Sequence, residues 1–156
     1  LKSPEESIRS IAKQISLRIK AKIEVLIQAQ ADRFLEGCHL LGPVRTLNKH
    51  AKTGQHNEKT EETKAKGLSL TVVAKGLKAF YASLFGMSTL LTAQCDRLRD
   101  PWIRVTVREG VGLVVCAAYE GLYNALTNPK SGYDQTQTRS MLQHSPAQIR
   151  TLLDLS

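Results

Sequence analysis

The sequence has little cysteine, few aromatic residues and no long apolar run, and each shortage excludes a class of protein. Its three cysteines (positions 38, 95 and 116) are far apart and form no CxxC pair, which argues against a disulfide framework and indicates a reducing compartment. No stretch approaches the roughly 18 consecutive apolar residues of a membrane span, and there is no charged-then-apolar leader. We therefore expect a soluble, cytosolic chain. Because it opens at Leu1, we expect it to be processed or to be part of something longer.

Catalytic and metal-binding patterns are missing as well. The four histidines (positions 39, 50, 56 and 144) show neither HxxxH nor HExxH spacing. No P-loop and no GxSxG pattern occurs, and Gly110-Val111-Gly112 lacks the third glycine of a dinucleotide-binding turn. We therefore predict a protein that is not an enzyme, with no catalytic residue, no cofactor and no bound metal.

The charge, in contrast, is strongly one-sided, with a formal net charge of +8 and a pI near 9.6. The longest local excess runs from Arg9 to Lys22, where no acidic residue occurs. Arg9, Lys13 and Lys20 cluster away from the apolar side of this segment and form a predicted basic contact face for an acidic helix or an anionic membrane surface. Nucleic acid is not expected, because aromatic residues make up only 5% of the chain and do not interleave with the basic run.

The first segment combines a complete helix start with a long apolar stripe. Ser3, Pro4 and Glu6 supply the cap, the first helical residue and the reciprocal capping residue. The pattern persists to about Gly37, with apolar side chains at Ile8, Ile11, Ile15, Ile19, Ile23 and Leu26. A helix of about 34 residues is about 50 Å long, whereas a compact domain of this size is only about 40 Å across. Such a helix needs long helices beside it. We therefore predict an all-α fold, an elongated antiparallel bundle of about four to six helices.

The middle of the chain is less regular. A short helix is expected from Val44 to His50. The polar stretch 51–67 cannot bury enough apolar surface to offset its ordering entropy, so a mobile loop is expected there. Apolar spacing over 69–99 predicts helix again, as one helix or two.

The last third contains a further long helix and a short one. Asp100-Pro101 starts the long helix, which stops before Asn128-Pro129. Alternation over 103–107 favours a strand there, but the helical stripe is longer and decides for helix. Residues 130–144 are expected to be a linker to the final helix, which Ser145 and Gln148 cap.

Two segments resemble a known family. The run Cys116–Pro129 looks like the last long helix of the sixth subunit of the conserved oligomeric Golgi complex, and His144–Leu153 is similar to that family's C-terminal ending. The likeness is weaker over 15–41 and 69–110 and absent over 51–66. The matching positions are expected to have structural roles: Tyr119, Tyr123, Asn128, Pro129, His144, Ser145, Pro146, Gln148, Leu152 and Leu153.

This resemblance implies a function that composition and spacing do not. It implies that residues 1–156 form a single helical-bundle domain, the C-terminal fragment of a longer subunit. That subunit would be cytosolic, peripheral on Golgi membranes, and part of a complex that tethers retrograde vesicles. Its partners would be the other subunits of the tethering complex, with Golgi SNAREs and small GTPases. The alternative from the residues themselves is a basic helical module that binds an anionic membrane surface.

Overall fold

The computed structural model describes residues 3–53, 69–95, 97–129 and 132–153. Within them the chain is helical and contains no strand, so the predicted all-α bundle is confirmed, including helix over the valine-rich residues 103–107. The helices are α1 (Pro4–Gly37), α2 (Leu41–Thr53), α3 (Leu70–Cys95), α4 (Pro101–Thr127), α5 (Gln135–Met141) and α6 (Pro146–Leu152).

α1 begins and ends where the sequence predicts. The Glu6 N–H donates to Ser3 Oγ at 3.3 Å, and the Ser3 N–H donates to the Glu6 carboxylate at 3.3 Å, which completes the predicted capping box. At the other end, His39 adopts a left-handed conformation with φ of 59°. The Leu40 N–H then donates to the Leu35 carbonyl at 2.9 Å, so the chain turns sharply into α2.

The middle of the chain is more helical than predicted. α2 covers Leu41–Thr53 instead of 44–50, because Gly42 and Pro43 fall in its first turn, where proline is tolerated. Residues 51–53, expected to begin the mobile loop, therefore belong to α2, and the rest of that loop lies outside the described residues. The segment 70–95 is one continuous helix, which answers the question of one helix or two.

α4 is the central helix of the fold. It contacts α1, α2, α3, α5 and α6, and its buried side includes Val107, Val111, Val115, Tyr119, Leu122 and Leu126. Gly110 lets α1 approach closely, since a Cβ at this position would collide with the Ile27 side chain. The shared core therefore forms along α4, and the other helices are placed by their contact with it.

The C-terminal segment folds back onto α4. Within the expected linker 130–144, residues Gln135–Met141 form α5, whose N-terminal cap is Asp134. Ser145 caps α6 with Gln148 as the reciprocal partner, as predicted. Ile149 of α6 is fully buried, so this short helix is anchored in the core.

Candidate interaction surface

A single row of apolar side chains runs along α1 and is half buried, half free. Residues four apart on a helix form one ridge, and we call this row the α1 ridge: Ile11, Ile15, Ile19, Ile23, Ile27, Ala31 and Leu35. The exposed fraction is 57% for Ile11, 52% for Ile15 and 43% for Ile19. It falls to 8% at Ile23 and 0% at Ala31. The first three residues are the free half of the α1 ridge.

The free half extends α1 beyond its contacts with the rest of the bundle. Ile23 is the first buried residue of α1, and every residue before it other than Ser10 is exposed. Ile8, beside the free half, is 67% exposed. Residues 8 to 19 cover about 17 Å at 1.5 Å per residue. This part of the stripe therefore lies outside the bundle, because no helix of the described chain reaches it.

The predicted basic face lies on the same stretch of α1. Arg9, Lys13 and Lys20 are all exposed, and each projects roughly 120–160° around the helix from the middle of the exposed isoleucine stripe. Between Glu6 and Glu24 the helix has no acidic residue. The structure therefore brings an exposed apolar stripe and an exposed set of cations together on one free helix end.

The residues of the family motif lie elsewhere, around a buried tyrosine. Tyr119 is 1% exposed and stacks on Phe80, with ring centroids 5.4 Å apart and planes 4° apart. Its hydroxyl donates to the His144 carbonyl oxygen at 2.5 Å and lies 2.7 Å from the Tyr81 hydroxyl. Burial raises the pKa of Tyr119 and of Tyr81, so both rings stay neutral and keep these hydrogen bonds at neutral pH.

The other motif residues terminate or cap helices or complete the core. Asn128 is the C-cap of α4, and its N–H donates to the Asn124 carbonyl. Ser145 and Pro146 start α6. Tyr123 and Leu153 are partly buried against the core, whereas Leu152 is 45% exposed. None of them contributes to the free half of the α1 ridge.

Two apolar residues at the start of α4 lie on the surface. Trp102, in the first turn of α4, is 62% exposed, and Val105 one turn later is 55% exposed. Apolar periodicity alone does not show that these two residues are exposed, since the buried stripe of α4 begins only at Val107.

The described residues offer no evident place for a metal or a membrane span. No three histidine, cysteine, aspartate or glutamate side chains among them come close enough to hold a metal ion. No helix in the part of the chain that the structure describes is both long and apolar enough to cross a bilayer.

Comparison with known proteins gives one consistent result. Residues 3–153 match the family model described as Conserved Oligomeric Golgi complex subunit 6, C-terminal. The chain is 25% identical over 143 residues to conserved oligomeric Golgi complex subunit 6 of Dictyostelium discoideum, which covers 90% of this chain and 20% of that protein. It is 26% identical over 141 residues to the Arabidopsis thaliana subunit of the same name, covering 90% of this chain and 19% of that protein. The chain thus spans about a fifth of the length of these relatives. No solved structure gives a significant match.

Proposed function

Since the chain belongs to the family of the conserved oligomeric Golgi complex subunit 6 C-terminal region, we propose that it is a non-enzymatic part of a Golgi vesicle-tethering complex. It acts by helix-to-helix contact with other subunits of that complex. The transport step is retrograde traffic within the Golgi, and Golgi SNAREs and small GTPases are further partners. The protein works on the cytosolic face of Golgi membranes without spanning them.

The observation that supports this proposal most is the free half of the α1 ridge. Ile8, Ile11, Ile15 and Ile19 are between 43% and 67% exposed on one side of a single helix. Exposed apolar side chains that form a continuous patch indicate a binding surface, whereas scattered ones do not. A helix-binding role needs such a patch and needs no catalytic group.

The proposal is tested by recovery of the complex. The chain is immobilised and incubated with a Golgi-enriched extract at 0.1 M and 0.5 M salt, and bound proteins are identified by mass spectrometry. We expect other subunits of the tethering complex at both salt concentrations, because apolar helix contacts are not screened. If none of those subunits is recovered at either salt concentration, the proposed function is wrong.

A second candidate function rests on the basic residues. Arg9, Lys13 and Lys20 are exposed, and each could contribute about 1 kcal/mol to binding an anionic membrane. Co-sedimentation with phosphatidylcholine vesicles, with and without phosphatidylserine, tests it. Binding that requires phosphatidylserine, is lost in 0.5 M salt and is lost in the Arg9→Ala/Lys13→Ala/Lys20→Ala variant would favour this function. Equal binding to vesicles with and without phosphatidylserine would exclude this second function.

A further inference from the structure

We propose that the free half of the α1 ridge binds one acidic amphipathic α-helix of a partner protein. The partner helix continues, along the same ridge, the contact that α4 makes with the buried half. This inference rests on the proposed function, because it names the kind of partner segment that a tethering subunit would engage at this site. The proposed partner helix has apolar residues three or four apart and acidic residues beside them.

Continuity of the ridge argues for a helix as the occupant. The buried half already packs against a helix, since Ile27 lies directly against Gly110 of α4. Exposure along the ridge drops from 43% at Ile19 to 8% at Ile23 within one helical turn. The apolar row itself does not change in spacing or residue type across that step. A surface shaped for ridge-into-groove packing thus continues beyond the helix that fills it.

The length of the free half sets the length of the partner segment. Together with the neighbouring Ile8, the free half covers about 17 Å from Ile8 to Ile19, which corresponds to about three turns of α-helix. A partner helix of about 12 residues or more is therefore sufficient to cover it. Shorter helical segments would leave Ile8 or Ile19 in water.

The charge of α1 argues against a second copy of this chain as the occupant of the free half. Beside the isoleucine stripe the free end of α1 carries two exposed cations, Arg18 about 60° and Lys22 about 20° from the middle of the stripe, and no acid occurs between Glu6 and Glu24. A second α1 packed against it would place like charges next to each other at close range, which is destabilising. A helix with glutamate or aspartate beside its apolar row would instead form favourable pairs with Arg18 and Lys22.

The width and composition of the stripe favour a helix over a membrane surface. Ile8, Ile11, Ile15 and Ile19 lie within an arc of about 80°, narrower than the stripe of about 100° or more that a helix turns to a globular core and closer to the narrow seam of a coiled coil. Interfacial helices also commonly carry Trp or Phe on the apolar face, and no aromatic residue occurs before Phe34. A narrow row of β-branched residues is typical of helix-to-helix contacts.

Site-specific photo-crosslinking identifies the occupant directly. Benzoylphenylalanine is placed at Ile15 in the full chain, which is then irradiated in the Golgi-enriched extract, and the crosslinked peptide is sequenced by mass spectrometry. The matched control is the same group at Leu17, which is equally exposed at 58% against 52% for Ile15 but points about 200° away around the helix. Both positions lack a buried contact, so neither substitution is expected to disturb folding.

The expected result is a crosslink from Ile15, not from Leu17, to a segment of another protein that is acidic and has apolar residues at helical spacing. A lipid adduct, an adduct to this chain itself, a non-acidic segment, equal labelling at both positions, or no adduct at Ile15 would each overturn the proposal. The proposed function is tested by a different result: it is wrong if the immobilised chain recovers no tether subunit from the extract. Recovery of such subunits together with a wrong or missing Ile15 adduct would therefore refute only this inference.

A synthetic peptide of the crosslinked segment provides the quantitative test. Ile15→Asp is expected to weaken its binding at least tenfold in fluorescence anisotropy, whereas Leu17→Asp changes it less than twofold. Reversing charge in Arg18→Glu, beside the stripe, is expected to weaken binding and reduce its dependence on salt. An Ile15→Asp variant that binds as tightly as the unchanged chain, with unaltered circular dichroism, would contradict the proposed site.

Discussion

Tyr119 connects three separate parts of the chain through one side chain. Its ring stacks on Phe80 of α3, and its hydroxyl donates to the carbonyl of His144 just before α6. The Tyr81 hydroxyl, 2.7 Å away, has Tyr119 as its partner. Loss of this one hydroxyl leaves the His144 carbonyl oxygen without this partner, whereas the Tyr81 hydroxyl keeps backbone partners at Gln143 and His144. An unpaired polar group in the interior costs more free energy than a simple loss of a hydrogen bond.

Tyr119→Phe is expected to lower the free energy of unfolding by about 1–3 kcal/mol. It should also change the response to alkali. Burial raises the pKa of Tyr119 in the folded state above its ordinary value of 10.0, so the unfolded state loses its proton first as the pH rises. The stabilisation is complete below pH 10 and decreases as the pH rises further. Urea denaturation at pH 8 to 11 checks this, and the decrease should be smaller in the variant. Equal pH slopes in both proteins would contradict it.

Two glycines of α4 provide a matched pair of substitutions. A methyl group at Gly110 would collide with Ile27, whereas nothing lies within 4 Å of a Cβ at Gly121. Gly121→Ala is expected to raise the free energy of unfolding by about 0.5–1 kcal/mol, since alanine is the better helix former. Gly110→Ala is expected to lower it by about 1 kcal/mol, because overpacking outweighs that gain. Thermal and urea unfolding measure the stability of both variants. If Gly110→Ala proves as stable as Gly121→Ala or more stable, α1 and α4 are not in such close contact.

At the scale of single helices, the ends of a helix could be predicted from the local sequence, whereas the burial of its residues could not. The bounds of α1 follow from the Ser3 box and the end of its apolar pattern, both of which are local. α5 was missed because Gln135–Met141 has no apolar stripe, and its Asp134 cap stands in a segment that reads as a loop. The free half of the α1 ridge has the same isoleucine spacing as the buried half, so spacing does not tell which half is packed. Which half is buried depends on where α4 begins, and no pattern within α1 contains that information.

The two capping boxes should therefore have different effects on stability. Ser145→Ala is expected to lower the free energy of unfolding by about 1 kcal/mol, because α6 is anchored in the core through the buried Ile149. Ser3→Ala should leave global stability nearly unchanged and only speed amide exchange in the first turn of α1, which has no buried residue. Urea denaturation and hydrogen exchange measure the two effects. A global loss in Ser3→Ala equal to that in Ser145→Ala would mean that the start of α1 is packed in solution.

At the scale of the whole molecule, the fold separates into a stabilising core and one helix end that contributes little to it. The core is built around α4, and it includes Phe80 of α3 and Ile149 of α6. The free end of α1 adds length and charge to the molecule without adding buried surface before Ile23. A segment that costs ordering entropy and gains no burial is expected to be kept for what it binds.

Deletion of residues 1–18 separates the two roles. None of residues 3–18 is buried, so the free energy of unfolding is expected to change by less than about 1 kcal/mol. Recovery of other tether subunits should nevertheless decrease at least tenfold, because Ile8, Ile11 and Ile15 are lost. Deletion of residues 145–156 is the contrasting variant: it removes the fully buried Ile149, so we expect it to lower the free energy of unfolding by at least about 3 kcal/mol. If the N-terminal deletion unfolds the protein, the free end of α1 is part of the core. If it changes neither stability nor recovery, the binding surface lies elsewhere on the bundle.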